Sequence, residues 1–311
     1  MAQLNAIVDK LVTNASRGLF QGDSSYVSEL IFQKIVALQD SGKIGSYGKS
    51  HLRIVNTLMG GESETPRVHV DLVSSDSFQL EKHGLKSIIT EEDKRNFEKP
   101  FNAREDRMRY LMSRLWLGKE YGVASQLTST GTMTLNTTLS GTSQWSDHAN
   151  STPLDDHNTG VQAIRDAQGV VPNRGIMDFK VFSKLRYHPQ ILENLGYTRA
   201  RAGKITAAEM AQAFDLDELY IPKCVYNSSD QGQDNSITPV WGKHFVLYYA
   251  PKTPSLRDQS LGFYVAGKET RKVYVNPQDE PPESEKIQVI DKYDYLLTDV
   301  ECGYLIYNAI A

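Results

Sequence analysis

Three groups of residues have types and spacing that could do chemistry. Asp155, Asp156 and His157 are consecutive, a set of carboxylates and an imidazole able in principle to ligate a cation or relay a proton. Asp76, Glu81 and His83 could form an acid/base group, and Asp215, Asp217 and Glu218 an acidic cluster. Each has a plainer account. The first lies where a helix start favours acidic residues, so capping is the preferred reading. The second sits in a polar excursion and reads as a solvated or intersubunit salt-linked edge. The third reads as a solvated loop. His188, before Pro189, reads as a turn residue.

The familiar site motifs are absent. The sequence holds no phosphate-cradling GxxxxGK(S/T), no GxGxxG after a strand, no HExxH and no GxSxG. Cys224 and Cys302 are far apart with no CxxC, so they read as two buried thiols, not a disulfide or a zinc site. No cofactor or metal is expected, and an enzyme is disfavoured. The net charge of −4 argues against a groove built to read nucleic acid. No apolar run is long enough to span a membrane, and the first twenty residues lack the apolar core of a signal peptide.

The elements that would position such residues are organised around Asn102 to Leu127, one long amphipathic helix. Asn102 with Glu105 makes a capping box. Met108, Leu111, Met112, Leu115 and Val123 form the apolar stripe, flanked by Tyr110, Leu117, Tyr121 and Ala124. Arg104, Asp106, Arg107, Arg109, Arg114 and Glu120 are placed on the wet side. Ahead of it, residues 1–41 read as an arm, with a short helix near Leu4 to Val12 and apolar spacing that passes from helical at Val27, Leu30 and Ile31 to strand-like at Ile35 and Ala37. Residues 41–86 are rich in Ser, Gly, Lys and Glu. Two strands, about His51 to Thr57 and Arg67 to Val73, flank the turn-rich GGESETP there. A hairpin with so little apolar surface is marginal alone, so it is disordered, functional, or held by something outside the subunit, the last being the important reading.

After the helix comes a Ser/Thr/Asn-rich connection with a strand around Met133 to Thr138 and a lone Trp145, placed at a subunit contact. From Thr152 the pattern becomes α/β. Pro153 opens a helix that Gly169 ends, Asp178 caps another, and Thr206 with Glu209 forms a capping box. Strands are expected at Glu218 to Tyr226, Val240 to Tyr249, Leu261 to Ala266 and Arg271 to Asn276, the last two around GKET. PQDEPPES reads as a linker, followed by strands at Lys286 to Ile290 and Gly303 to Ile310.

An ordered set of segments carries a resemblance. TTLSGTSQWSDHANSTPLDD (Thr137 to Asp156), RYHPQILENLGYT (Arg186 to Thr198), ITAAEMAQAFDLDELYI (Ile205 to Ile221), then VWGKHFVLYYAP and SLGFYV between Val240 and Val265, together resemble the major capsid proteins of tailed bacteriophages. SGKIGSYGKSHLRIVNT and SFQLEKHGLK resemble that family's extended loop and its return. The resemblance implies an α+β Hong Kong 97-type fold. Its parts would be an N-terminal arm (1–41), an extended hairpin or E-loop (42–86), a peripheral domain (87–154) built on the spine helix (102–127), an axial α/β domain (155–280), and C-terminal strands (281–311) returning to the peripheral domain. It implies self-assembly into pentamers and hexamers of an icosahedral shell around non-specifically bound double-stranded DNA, made in the bacterial host cytoplasm. Portal and a separate scaffolding protein are implied partners, with a decoration protein as a further one, and no membrane is involved. The E-loop contacts would be made by Tyr47, Leu52, Arg53, Ile54, Arg67, Val68 and Val70. An encapsulin-like compartment and a cytosolic α/β enzyme are the competing readings.

Overall fold

The computed structural model describes residues 25–47, 49–55, 57–59, 65, 67, 72–96, 103–196, 205–230, 232–253, 259–278 and 284–311. The chain enters through a one-turn helix, α1 (Ser28–Ile31), and strand β1 (Gln33–Ala37). It then leaves the body along β2 (Ser41–Tyr47), comes back along the antiparallel partner β3 (Leu72–Gln79), and continues as β4 (Glu81–Thr90). Thr90 and Asp93 exchange side-chain and backbone hydrogen bonds and start α2 (Glu91–Asn96). Next come the 25-residue α3 (Ala103–Leu127), β5 (Asn136–Thr138), α4 (Pro153–Gln168), β6 (Arg174–Met177), α5 (Phe179–Leu185), α6 (Pro189–Asn194) and α7 (Ala207–Ala213). The remaining strands are β7 (Glu218–Tyr220), β8 (Val225–Asn227), β9 (Ile237–Pro239), β10 (Phe245–Tyr248), β11 (Gly262–Gln278), β12 (Ser284–Leu297) and β13 (Gly303–Tyr307).

Two sheets organise these elements. The first has the order β1-β11-β12-β4, with β1 parallel to β11 and the other pairs antiparallel. The N-terminal half of α3 packs on it, burying Met108, Leu111 and Met112 against Ile89, Val273, Ile287 and Val289. The second has the order β5-β13-β10-β6-β7 and carries the core of Trp145, Ile164, Phe182, Phe214, Phe245 and Ile306. Between the sheets, the C-terminal half of α3 joins the arm, with Val123, Ala124 and Leu127 beside Val27, Ile31, Phe32 and Trp241. Helix α4 lies so close to β13 that a Cβ on Gly160 would sit 2.8 Å from the Tyr304 ring. Gly169 ends α4 in the left-handed region, φ 73°, where glycine is unstrained.

Several expectations need correction. The described strands of the excursion are 41–47 and 72–79: Leu72 and Val73 of the expected second strand open β3 while 68–71 lie outside the described residues, and the expected strand at His51 to Thr57 begins instead in a 3-10 turn, Lys49–Leu52. Backbone pairing of SGKIGSY with LVSSDSFQ forms the ladder without an apolar alternation to announce it. GKET is not a turn but an irregularity between Ala266 and Arg271 inside one long strand, β11. PQDEPPES spans the hairpin connection between β11 and β12, not a domain linker, since both strands lie in the first sheet. The boundary near 280 therefore does not divide the sheets. The chain's last strand, β13, pairs with β10 and β5 of the second sheet, not with the first. Asn102, the expected cap of the long helix, lies outside the described residues, as do Leu4 to Val12.

Candidate functional site

Helix α3 carries two buried charges that its periodicity hides. Trp116, Lys119, Glu120 and Val123 are all buried, so the inward stripe runs straight through a lysine and a glutamate. Lys119 Nζ donates to Glu29 Oε1 at 2.6 Å, to Asp291 Oδ2 at 3.1 Å and to the Tyr264 hydroxyl at 2.9 Å, which uses all three ammonium protons. It also lies 4.0 Å from the centre of the Tyr293 ring. Arg271 reaches the same two carboxylates, at 3.2 Å from Glu29 and 3.8 Å from Asp291, and covers the Trp116 ring. Burial alone would raise the Glu29 carboxyl, but Lys119 and Arg271 outweigh it and hold it below the usual range.

Glu120 works in the opposite direction along the helix. Its carboxylate accepts from the Trp241 indole at 2.7 Å and from the backbone amides of Val27 and Ser28, the latter at 2.8 Å. Burial nevertheless pushes its pKa up, since hydrogen bonds from neutral donors offset desolvation less completely than a paired cation does. Lys119 and Glu120 thus tie the arm, the long β11–β12 hairpin and the loop before β10 to one turn of α3. Glu120 is not on the wet face as its charge suggests.

Trp145 is a second correction. It is fully buried within its own chain, T-shaped against Phe245 and stacked on Phe214, with its indole donating to Asp156 at 2.8 Å. A side chain with no exposed surface offers nothing to a neighbouring subunit, so it is a core anchor. The bond gives Asp156 a structural partner within its own chain. Among the described residues no cluster of His, Cys, Asp and Glu could hold a metal ion, and no helix is long and apolar enough to cross a membrane.

The histidines in this region are buried or half-buried. His157 packs between Phe214 and Phe245, and burial brings its pKa down to about 4. Burial does the same to His188, helped by His148 beside it, and to His244, whose Nδ1 accepts the Asn308 amide at 3.1 Å. A folded-state value below the unfolded one near 6.5 means the unfolded chain takes up more protons between the two. Stability is therefore complete above about pH 6.5 and is lost as pH falls toward 4. His157, 5 % exposed, should alone cost on the order of 2 kcal/mol between pH 7.5 and 5. Urea unfolding of unassembled subunits at both values, with His157→Phe removing that share of the difference, measures it.

The surface most in need of a partner lies at the end of the β2–β3 excursion. Its base is anchored, with Ile44 buried among Leu80, Phe263 and Val265. Beyond the base, Leu52, Ile54 and Leu58 are 53, 102 and 85 % exposed, and Val55 and Met59 are about half exposed. Five large apolar side chains in eight residues is a patch that ordinary monomers do not leave uncovered. Arg53 and Arg67 are exposed beside it; Tyr47 ends β2; Val68 and Val70 lie outside the described residues. The tip does touch its own body. Leu52 lies beside Gly169, and Lys49 pairs with Glu301 at 2.6 Å, where Gln168 also donates. Both members of that pair are about half exposed, so it contributes about 0–1 kcal/mol. Covering even one of the exposed Ile or Leu side chains is worth about 1.5–3 kcal/mol, so the self-contact does not satisfy the loop.

No family model matches the chain. It is 23 % identical over 309 residues to the major capsid protein of Burkholderia phage BcepMu, covering 96 % of each chain. It is also 23 % identical over 263 residues to that of Pseudomonas phage JBD67, covering 83 % of each. Among solved structures it is similar to a phage-related protein of Bordetella bronchiseptica RB50, with TM-score 0.75, 23 % identity and 98 % of each chain covered. The capsid of cyanophage P-SCSP1u matches at TM-score 0.57 and 10 % identity, over 89 % of this chain and 86 % of that one. The SrpI encapsulin of Synechococcus elongatus PCC 7942 matches at TM-score 0.53 and 9 % identity, over 99 % and 92 %. The fold is the α+β, Hong Kong 97-type fold.

Proposed function

We infer that this chain is the major capsid protein of a tailed phage, a structural subunit that assembles with copies of itself into the head shell. The observation that carries the reading is the joint one: both curated relatives are phage capsid proteins matched over most of their length, and the excursion at 41–79 exposes an apolar tip its own chain does not cover. The encapsulin shares the fold, so the fold alone does not separate a phage head from a cargo compartment; the capsid relatives favour the head. No catalysis belongs to this reading.

In finer terms, the arm, E-loop, peripheral and axial parts would serve pentamers and hexamers. Leu52, Ile54 and their neighbours in the E-loop would lie on the spine-helix region of the adjacent subunit, with Arg53 and Arg67 pairing to its acidic residues. Portal and a separate scaffolding protein would direct closure, a decoration protein could bind outside, and scattered Lys and Arg would meet packaged DNA without sequence preference. With a net charge of −4 the subunit repels DNA, a repulsion that would be offset mainly by counterions. Electron microscopy of the protein expressed alone tests the central claim. Closed shells of uniform diameter, or capsomers, are expected; a monodisperse monomer at high concentration would overturn it.

A further inference from the structure

The two faces of the first sheet are not alike. Beyond the irregularity between Ala266 and Arg271, the face toward α3 is apolar, with Val273, Ile287 and Val289 buried against the helix. Side chains alternate along a strand, so the residues between these point the other way. There stand Lys82 and Lys86 on β4, Lys286 and Lys292 on β12, and Lys272 on β11. The register sets Lys82 opposite Lys292, Lys286 beside Ile88, Lys272 beside Ile290 and Lys86 beside Gln288. Toward the base of the sheet the same face is covered, by Ile44 and Leu80 packed on Phe263 and Val265. The lysine-bearing half stays open: Lys82 and Lys86 are exposed, Ile88 is 42 % exposed, and Lys286, Ile290 and Tyr274 are half-buried.

No Asp or Glu points from these rows. Like charges set opposite one another destabilise a sheet, so the arrangement costs the isolated chain stability. Lys292 is neutralised by Asp40 at 2.7 Å, but among the described residues no carboxylate pairs with Lys82, Lys86 or Lys286. Lysine on an edge strand blocks stray strand pairing, which accounts for β4; β12 lies inside the sheet and needs no such guard. A surface of this kind fits a negatively charged partner. Double-stranded DNA is the poorer match, because the subunit is itself negative and because Ile88, Ile290 and Tyr274, set among the lysines, offer nothing to a phosphate backbone. A sister copy is the better one. In a chain whose 38 acidic residues outnumber its 34 basic ones, gathering lysines on one face leaves the remaining surface more acidic still, and every copy brings both surfaces.

We propose that this lysine-lined face of β4, β12 and β11 seats an acidic surface of a second copy of the chain. Lysine facing lysine across a two-fold axis would repel, so the contact joins two different patches head to tail, the kind of contact that closes into a ring. The proposal rests on the shell reading and adds to the loop tip a second contact, in which charge sets the register while the tip supplies apolar area.

Lys82→Glu combined with Lys86→Glu tests it in nuclease-treated protein, by light scattering against concentration at low and moderate salt. Both side chains are exposed, so the unfolding midpoint should not move. Assembly should need about tenfold more protein than wild type, with Lys82→Gln combined with Lys86→Gln falling between, and wild-type assembly should itself weaken as salt rises. Assembly of the reversed variant at wild-type concentrations would overturn the proposal and leave the shell reading standing, whereas a wild-type protein that stays monomeric would overturn both. Shells that form only on adding double-stranded DNA, and fail to form with it in the reversed variant, would assign the face to DNA and overturn the proposal too. A water-soluble carbodiimide, which condenses a lysine amine with a touching carboxylate, gives a second reading on the unaltered protein. In shells mixed from isotope-labelled and unlabelled copies, Lys82, Lys86 or Lys286 should be joined to carboxylates of the other label, and the absence of mixed-label links would count against the contact as decisively.

Discussion

Lys119→Met is expected to destabilise the unassembled subunit by about 3–5 kcal/mol, the usual cost of removing one partner from a buried ionic group. The side chain is 2 % exposed and its three donors are all engaged, so methionine fills the volume but leaves Glu29, Asp291 and the Tyr264 hydroxyl facing an apolar tip. Arg271 does not make up the loss, because it already holds Glu29 at 3.2 Å and reaches Asp291 only at 3.8 Å. Lys119→Arg should also cost stability, since the planar guanidinium does not fit the point-charge position 4.0 Å above the Tyr293 ring. Adding Asp291→Asn to Lys119→Met should recover part of the loss by restoring charge balance. Denaturant unfolding reads all three, and a cost below about 1 kcal/mol for Lys119→Met would show that the junction is solvated and the arm held by other contacts.

How far the sequence discloses this arrangement depends on which physical signal each part leaves. Helix α3 is legible because Met108, Leu111, Met112 and Val123 keep helical spacing on a buried face. Asp178 as a cap, the Thr206 box and Gly169 as a terminus are legible because each rests on local chemistry, and the structure has all three. Lys119 and Glu120 are missed because charge on a helix ordinarily means water. The signal that could have found them is that Trp116 and Val123 share their face, so a solvated pair there would break the stripe. Trp145 is misplaced because its polar neighbours make turns and caps, and not a wet surface: Gln144 Nε2 donates to the backbone at Asn308 and Ile310, closing the chain end over the ring. The pairing of β13 with β5 in the second sheet spans more than a hundred residues, which no local pattern encodes.

Ile54→Asp combined with Leu58→Asp is expected to abolish shell assembly while leaving the subunit as stable as before. In the single chain these side chains are 102 and 85 % exposed, so changing them uncovers little buried surface and should alter unfolding by no more than about 0.5 kcal/mol. In a shell the same positions would be covered by a neighbour, where losing two apolar side chains and desolvating two carboxylates costs at least about 3 kcal/mol per subunit. Each 1.4 kcal/mol is about tenfold in the concentration needed, and a closed shell repeats the penalty at every copy, so a modest local loss becomes an all-or-none effect. Lys49→Ala is the contrasting variant. It breaks only the half-exposed pair with Glu301, which is worth about 0–1 kcal/mol, and should leave both folding and assembly nearly intact. Light scattering against concentration, beside denaturant unfolding, separates the two quantities. Wild-type assembly by the double variant would place the contact elsewhere, and a marked drop in its unfolding free energy would mean that the loop packs on its own chain after all.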